Sequence, residues 1–232
     1  MIERVGIIVP ACNEEANIDA CLASIQVAIA AVGPPCHIVV IADSCTDATV
    51  ERARSFPGVH IMVVDVGAIG AARALGVRRL LEGTRTPAER LWIANTDADA
   101  VVPENWLSSQ VTLADNGCDV IIGTVRSDAA DPSAERRRSR HRRYSAGDES
   151  GRVRGANLGV RASAYCAAGS FLSSRGDEDA ALVAALSDFR VVTSDEAEVV
   201  LSARDDARLP AGYAQFVSRG PTPLPDDAPA TA

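Results

Sequence analysis

Apolar positions in the first hundred residues alternate between two periods. Val5–Val9 is a short, nearly unbroken apolar run stopped by Pro10, and it reads as a buried strand. Asn13-Glu14-Glu15 then opens a segment where Ile18, Leu22, Ile25, Ile29 and Val32 recur at helical spacing as far as Gly33. His37–Ile41 returns to the strand pattern, Asp43 to Asp47 form a polar turn, and a helix is predicted from Ala48 to Ser55. A third strand, Val59–Val64, precedes a break at Gly67 to Gly70, a helix over Ala71 to Glu82 and a fourth strand over Leu91 to Ala94. This alternation predicts an α/β fold: a Rossmann-like, mostly parallel central sheet with helices on both faces.

The pattern loosens after residue 100. Asp119–Gly123 and Gly155–Val160 read as short strands, Ala162–Ala168 and Glu178–Leu186 as short helices. Residues 126–151 are polar and contain the run ERRRSRHRR at 135–143. Residues 1–205 are expected to form one domain, with 126–151 as a mobile Arg-rich loop. Residues 206–232 turn to Pro, Ala, Asp and Gly and end in PTPLPDDAPATA, which is expected to be disordered.

Composition narrows the function. At 232 residues and 47% hydrophobic, the chain is long and apolar enough to bury a substantial core. A net charge of −8 and a pI near 4.9 argue against a nucleic-acid binder. The 23 basic residues are all Arg, which rules out Schiff-base chemistry and a P-loop lysine. Six cysteines without a C-x-x-C pair, and three histidines, argue against a zinc site. No signal-type apolar region opens the chain, and no uninterrupted apolar run reaches membrane-spanning length. The expectation is a cytoplasmic protein without a transmembrane segment; peripheral membrane contact and homo-oligomer formation stay open.

In open parallel sheets, ligands bind outside the carboxyl ends of the strands. Polar clusters occupy those ends here: Asn13-Glu14, Asp43-Ser44, Gly67 and Asp97-Ala98-Asp99. A D-x-D by itself is often a solvated turn with an N-cap aspartate. After a buried strand it also suits a hard divalent cation, Mg2+ or Mn2+, held by one or two carboxylates and by substrate phosphates. Such an ion neutralises a departing diphosphate.

Six stretches, in order, resemble the family 2-like glycosyltransferases with the nucleotide-diphospho-sugar (GT-A) fold. GIIVPACNEEANIDACLASI (6–25) is similar to the family's first strand, its P-A-x-N-E-E turn and its first helix, and VVIADSCTDAT (39–49) to the second strand and its D-x-S-x-D-x-T turn. GAIGAARALG (67–76) resembles the segment whose arginine faces the donor diphosphate, and NTDADAVVPENWL (95–107) the metal motif and the helix after it. VRGANLGVRASAYCAAGSF (153–171) resembles the acceptor-side G-x-N-x-x-x-R segment, and GDEDAAL (176–182) the E-D-x-x-L motif that carries the catalytic base. The resemblance covers about residues 5–185. It implies a single GT-A domain, a nucleotide-diphospho-sugar donor, a hydroxyl acceptor, and Mn2+ or Mg2+ as cofactor.

Residue by residue, the resemblance puts Pro10, Ala11 and Glu14 around the nucleotide, Asp43 at the base or ribose edge, and Arg73 toward the diphosphate. Asp97 falls near the ribose or sugar, Asp99 on the metal with Asp97 beside it, and Gly155, Asn157 and Arg161 on the acceptor side. Asp179 is the implied general base, with Glu178 next to it; an alcohol needs such a base at neutral pH. Arg161 reads equally well as the partner of a surface carboxylate. Asp47 reads as a structural acid at a helix start, and Trp92 and Trp106 as packing residues.

Some features depart from the family pattern. Ala42-Asp43 stands where many members carry two acids, no histidine follows His141, and the Q-x-x-R-W motif of processive synthases is absent. Single sugar transfer is therefore expected. GAIGAARALG does not have dinucleotide-loop spacing and does not follow the first strand, which argues against a nicotinamide enzyme. The Arg run reads either as a solvated loop or as one that closes on an anionic acceptor or the diphosphate. Two rivals stay open: a degenerate domain that binds nucleotide-sugar without turnover, and a sugar-phosphate nucleotidyltransferase, although PACNEE lacks the latter's glycine-rich basic loop.

Overall fold

A computed structural model describes residues 1–127, 155–171 and 178–202. Most of the expected Arg-rich loop, including 135–143, and the 206–232 tail lie outside the described residues.

The strands are β1 (Arg4–Ala11), β2 (Cys36–Asp43), β3 (Val59–Val64), β4 (Leu91–Asn95), β5 (Ala100–Val101), β6 (Val120–Ser127), β7 (Leu158–Arg161) and β8 (Val191–Leu201). The helices are α1 (Ile18–Ala30), α2 (Thr49–Arg54), α3 (Ile69–Glu82), α4 (Trp106–Asp115), α5 (Ala162–Ala167) and α6 (Glu178–Ala185). They form one eight-stranded sheet in the order β3-β2-β1-β4-β7-β6-β8-β5. β1, β2, β3 and β4 are mutually parallel, as are β6 and β8; β7 and β5 run against their neighbours. The predicted α/β architecture with a mostly parallel sheet is the one observed. Among the described residues, no helix is long and apolar enough to cross a membrane.

The strand period sorts the core into two layers. Val5, Ile7 and Val9 of β1, Ile38 and Val40 of β2, and Trp92 and Ala94 of β4 pack with α1 and α4 on one face. The alternate residues Ile8, Val39, Ile41, Leu91 and Ile93 pack with α3, α5 and α6 on the other. Both sides of each central strand are buried, which is why these strands read as continuous apolar runs. Gly6 and Gly76 let α3 lie close: a Cβ on Gly6 would overlap Leu80, and one on Gly76 would press on Ile41.

The order 3-2-1-4 places the site. The chain winds outward from β1 through β2 to β3, then crosses back to β4 on the other side of β1. Loops at the carboxyl ends of β1 and β4 therefore diverge and leave a crevice between them. Pro10 and Ala11 end β1 on one side; Asp97 and Asp99 follow β4 on the other. β7 runs antiparallel to β4, with Leu158 opposite Asn95, so the turn before β7, at Gly155–Asn157, lies at the same edge.

Several elements differ from expectation: β5 was not foreseen, and β6 runs on to Ser127, into the start of the segment read as the Arg-rich loop. β8 was not foreseen, because Ser194-Asp195-Glu196 interrupts its apolar positions; its buried residues Ala197, Val199 and Leu201 show strand alternation only near the end. Gly155–Asn157 forms a 3-10 turn instead of strand, and β7 begins at Leu158.

Candidate active site

Side chains stitch the loops after β1 and β2 together. Asn13 and Ser44 both adopt φ of 55°, an uncommon left-handed conformation for residues other than glycine. Asn13 Oδ1 accepts the Thr46 N–H at 2.7 Å, and the Glu14 N–H donates to Thr49 Oγ1 at 2.7 Å. The Cys45 thiol donates to the Ala11 carbonyl at 3.4 Å. Asp47 accepts the Glu15 N–H and both the N–H and the hydroxyl of Thr49. Burial raises its pKa, but these hydrogen bonds outweigh burial and hold the carboxyl below its ordinary value. Asp47 is thus the structural acid its position suggested.

Asp43, at the end of β2, is buried, and its Oδ1 accepts the N–H groups of Val66 at 2.8 Å and Gly67 at 3.1 Å. It fastens the loop that leads into α3. The Glu14 carboxylate accepts from Asn17 Nδ2 at 3.0 Å. Pro10 and Ala11 are buried at the end of β1, beside Ile41 and Ala42 of β2.

Arg73 is the hub of the site. It sits in the second turn of α3 at 1% exposure. Its Nη2 donates to Asp97 Oδ1 at 2.6 Å; its Nη1 donates to Asp179 Oδ1 at 2.7 Å and reaches Glu178 Oε1 at 3.4 Å. Phe171 lies across the guanidinium, with the ring centroid 5.8 Å from Cζ. Burial works against the charge on Arg73, but Asp179, Asp97 and Glu178 overcome it and raise the pKa above its ordinary value. The sequence reading turned Arg73 toward the donor diphosphate. In the structure its head is covered and pairs with three carboxylates.

Glu178 and Asp179 open α6, where carboxylates complement the positive end of the helix. Asp179 Oδ2 accepts the Gly155 N–H at 2.5 Å, so each carboxylate oxygen has a fixed donor. A carboxylate oxygen accepts along two lone-pair directions, and Asp179 keeps 19% of its side-chain surface exposed. It therefore retains capacity to accept a further proton donor.

The residues after β4 alternate. Ala98 is buried, while Asp97 and Asp99 are half-buried on either side of it. Backbone bonds fix the turn: the Asp97 carbonyl accepts the Ala100 N–H at 3.1 Å and the Cys21 thiol at 3.4 Å, and the Asp99 carbonyl accepts the Ser202 N–H at 3.0 Å. Burial, then Asp99 and Asp97, push the Cys21 thiol far above its ordinary pKa, so the field here is negative. Among the described residues, no three His, Cys, Asp or Glu side chains are grouped to cage a metal. The donor set fits a hard divalent ion that takes carboxylate oxygen from the Asp97–Asp99 turn and its remaining ligands from phosphate and water.

Two predicted acceptor-side residues are not in this cluster. Asn157 is buried: it donates to the carbonyls of Thr124 at 2.9 Å and Ala197 at 2.8 Å and accepts from Trp106 Nε1 at 2.9 Å. It ties β6, β8 and α4 together behind the site. Arg161 lies at the far end of β7, opposite Trp92, and pairs with Asp119 at 3.0 Å while donating to the carbonyls of Glu89, Ala114 and Cys118. Of its two sequence readings, the structure shows the carboxylate partner. Gly155 alone of the three touches the cluster. Phe171 went unforeseen; nothing in A-A-G-S-F marks an aromatic residue as the wall of an arginine pocket.

A sheet whose order reverses between β1 and β4, with acidic residues at the reversal, belongs to the doubly wound α/β class, which binds ligands at that point. Residues 6–174 match the family model described as Glycosyl transferase family 2, and the chain belongs to that family. Similar solved structures include S. aureus TarS 1-349 in complex with UDP-GlcNAc, at TM-score 0.66 and 16% identity over 90% of this chain and 61% of that one. Another is the mannosyltransferase PcManGT from Pyrobaculum calidifontis in complex with GDP-Man and Mn2+, at TM-score 0.64 and 20% identity over 96% and 66%. A third is glucosyl-3-phosphoglycerate synthase from Mycobacterium tuberculosis in complex with phosphoglyceric acid, at TM-score 0.55 and 15% identity over 87% and 71%. At these identities the likeness shows the fold. The chain spans 61% of the TarS fragment and 66% of the PcManGT chain. A search of curated proteins finds no match.

Proposed function

We propose that this protein transfers a single sugar from a nucleotide-diphosphate donor to a hydroxyl acceptor, with inversion at the anomeric carbon. The observation that carries the reading is the Asp97–Arg73–Asp179 constellation at the β1/β4 crevice. One guanidinium bonds Asp97 through Nη2 and Asp179 through Nη1, which supports reading the two carboxylates as parts of one site.

The donor's nucleotide lies between the loops after β1 and β2, near Pro10, Ala11, Glu14 and Asp43, with its diphosphate toward Asp97 and Asp99. Asp99, with Asp97 beside it, would hold Mn2+ or Mg2+, which when bound would neutralise charge on the departing diphosphate. Asp179 accepts the proton of the attacking hydroxyl, and Glu178, in the same ion-pair cluster, helps hold Arg73 in place. Arg73 acts here through its carboxylates: it holds Asp97 and Asp179 at fixed separation. Attack from the side opposite the diphosphate inverts the sugar carbon.

The test uses Asp179→Asn, which keeps the shape and removes the base. It is expected to bind donor as the wild type does and to lose transfer and donor hydrolysis by a factor of about 10² to 10⁴. UDP- and GDP-linked sugars, of the kind held by TarS and PcManGT, are the donors to try first. Wild-type turnover in Asp179→Asn would remove the base assignment.

A further inference from the structure

Gly155 has no conformational reason to be glycine. It lies in the 3-10 turn Gly155–Asn157, a backbone conformation that any L-residue adopts. What the position lacks is room: a Cβ built there would overlap Cζ, Nη1 and Nη2 of Arg73. The guanidinium rests against the bare Cα side of Gly155, with Phe171 also packed against it, at 5.8 Å from ring centroid to Cζ. Phe171 is itself held in place: its N–H donates to the Tyr165 hydroxyl at 3.3 Å, and the two rings lie 5.6 Å apart.

We infer that Gly155 is a positioning residue whose missing Cβ is the seat of the Arg73 guanidinium. Through that seat it holds Asp97 and Asp179 in register with each other. Gly155 makes two separable contributions. The Gly155 N–H bonds Asp179 directly, and an alanine would keep it; the empty space acts only through Arg73, and an alanine would fill it. The catalytic consequence rests on the transferase reading above, whereas the seat itself does not.

The experiment compares the wild type, Gly155→Ala, Arg73→Ala and the double variant. With isotope-labelled arginine, the wild type is expected to show a slowly exchanging guanidinium signal that Arg73→Ala deletes. Gly155→Ala should lose the same signal and melt at lower temperature without ligand. In the Arg73→Ala background the added methyl enters vacated space, so the double variant should melt no lower than Arg73→Ala. Where donor turnover is measurable with Mn2+, Gly155→Ala should lower kcat on the order of 10²-fold, the scale of a small misplacement of reacting groups, and the double variant should match Arg73→Ala. Persistence of the slow signal in Gly155→Ala, or an equal loss of melting temperature in both backgrounds, would overturn the inference. If Gly155→Ala does not fold, recovery of a cooperative melt in the double variant supports the seat and failure to recover overturns it. If the wild type turns over no nucleotide-sugar, the transferase reading fails, and the signal and the melting data still decide the seat.

Discussion

At the residue scale, the site turns on one buried cation. Arg73 contacts Asp97, Glu178 and Asp179 and is covered by Phe171 and Gly155. Removing one partner of a buried ion pair costs more than the pair contributes, because the remaining charge stays desolvated. Arg73→Met leaves the carboxylates converging on an apolar side chain. It is expected to lower unfolding free energy by about 3–5 kcal/mol, read from urea denaturation midpoints. A loss below about 1 kcal/mol would mean that the cluster is solvated like a surface pair. The sequence showed each of these residues as a separate motif. It did not show that they meet, because the contacts between α3 and α6 cross more than a hundred positions, with |i−j| of 105 and 106. Nor did it show that Arg73 faces inward, since an arginine among small residues reads the same on either face of a helix.

At the element scale, the central strands and helices were legible because both physical signals were clean. β1, β2 and β4 are buried on both faces over most of their length and read as nearly continuous apolar runs, the partly buried edge strand β3 is apolar at all positions but His60, and α1 carries an unbroken helical stripe. β8 was illegible because its register across the sheet decides which residues are buried, and Asp195 and Glu196 fall on exposed positions. The resemblance put Asn157 on the acceptor side and left Arg161 open between that side and a carboxylate partner; in the structure both fasten elements together. Asp47 is a fastener that the sequence did suggest, and it carries a pH signature. Its folded pKa is depressed below the ordinary value of 3.8. Its contribution is therefore present in full above the unfolded pKa and lost as pH falls through the folded one. The melting-temperature gap between wild type and Asp47→Ala is expected to hold from neutral pH down to about pH 5 and to close below the unfolded value of 3.8. A gap that stays constant to lower pH would show that Asp47 acts without its charge.

At the scale of the whole molecule, the topology chooses the site. Strand order 3-2-1-4 opens the crevice between β1 and β4, with Pro10 and Ala11 at the end of β1 and Asp97 and Asp99 after β4 at its two rims. The fold and family were readable from motif order alone, because six short stretches kept their sequence through the elements that line the crevice. The central claim is that the Asp97–Asp99 turn holds a metal-bound nucleotide diphosphate. The measurement that tests it most directly is a thermal-shift panel of nucleotide diphosphates and their sugars on the wild type and Asp99→Ala, with and without Mn2+. A ligand that binds only the folded chain raises the melting temperature by mass action, by about 2.7 kcal/mol of stability at a hundredfold excess over Kd. The account predicts that one nucleotide stabilises the wild type only with Mn2+ and that Asp99→Ala abolishes the shift. An undiminished shift in Asp99→Ala, or none with any nucleotide in the wild type, would contradict it.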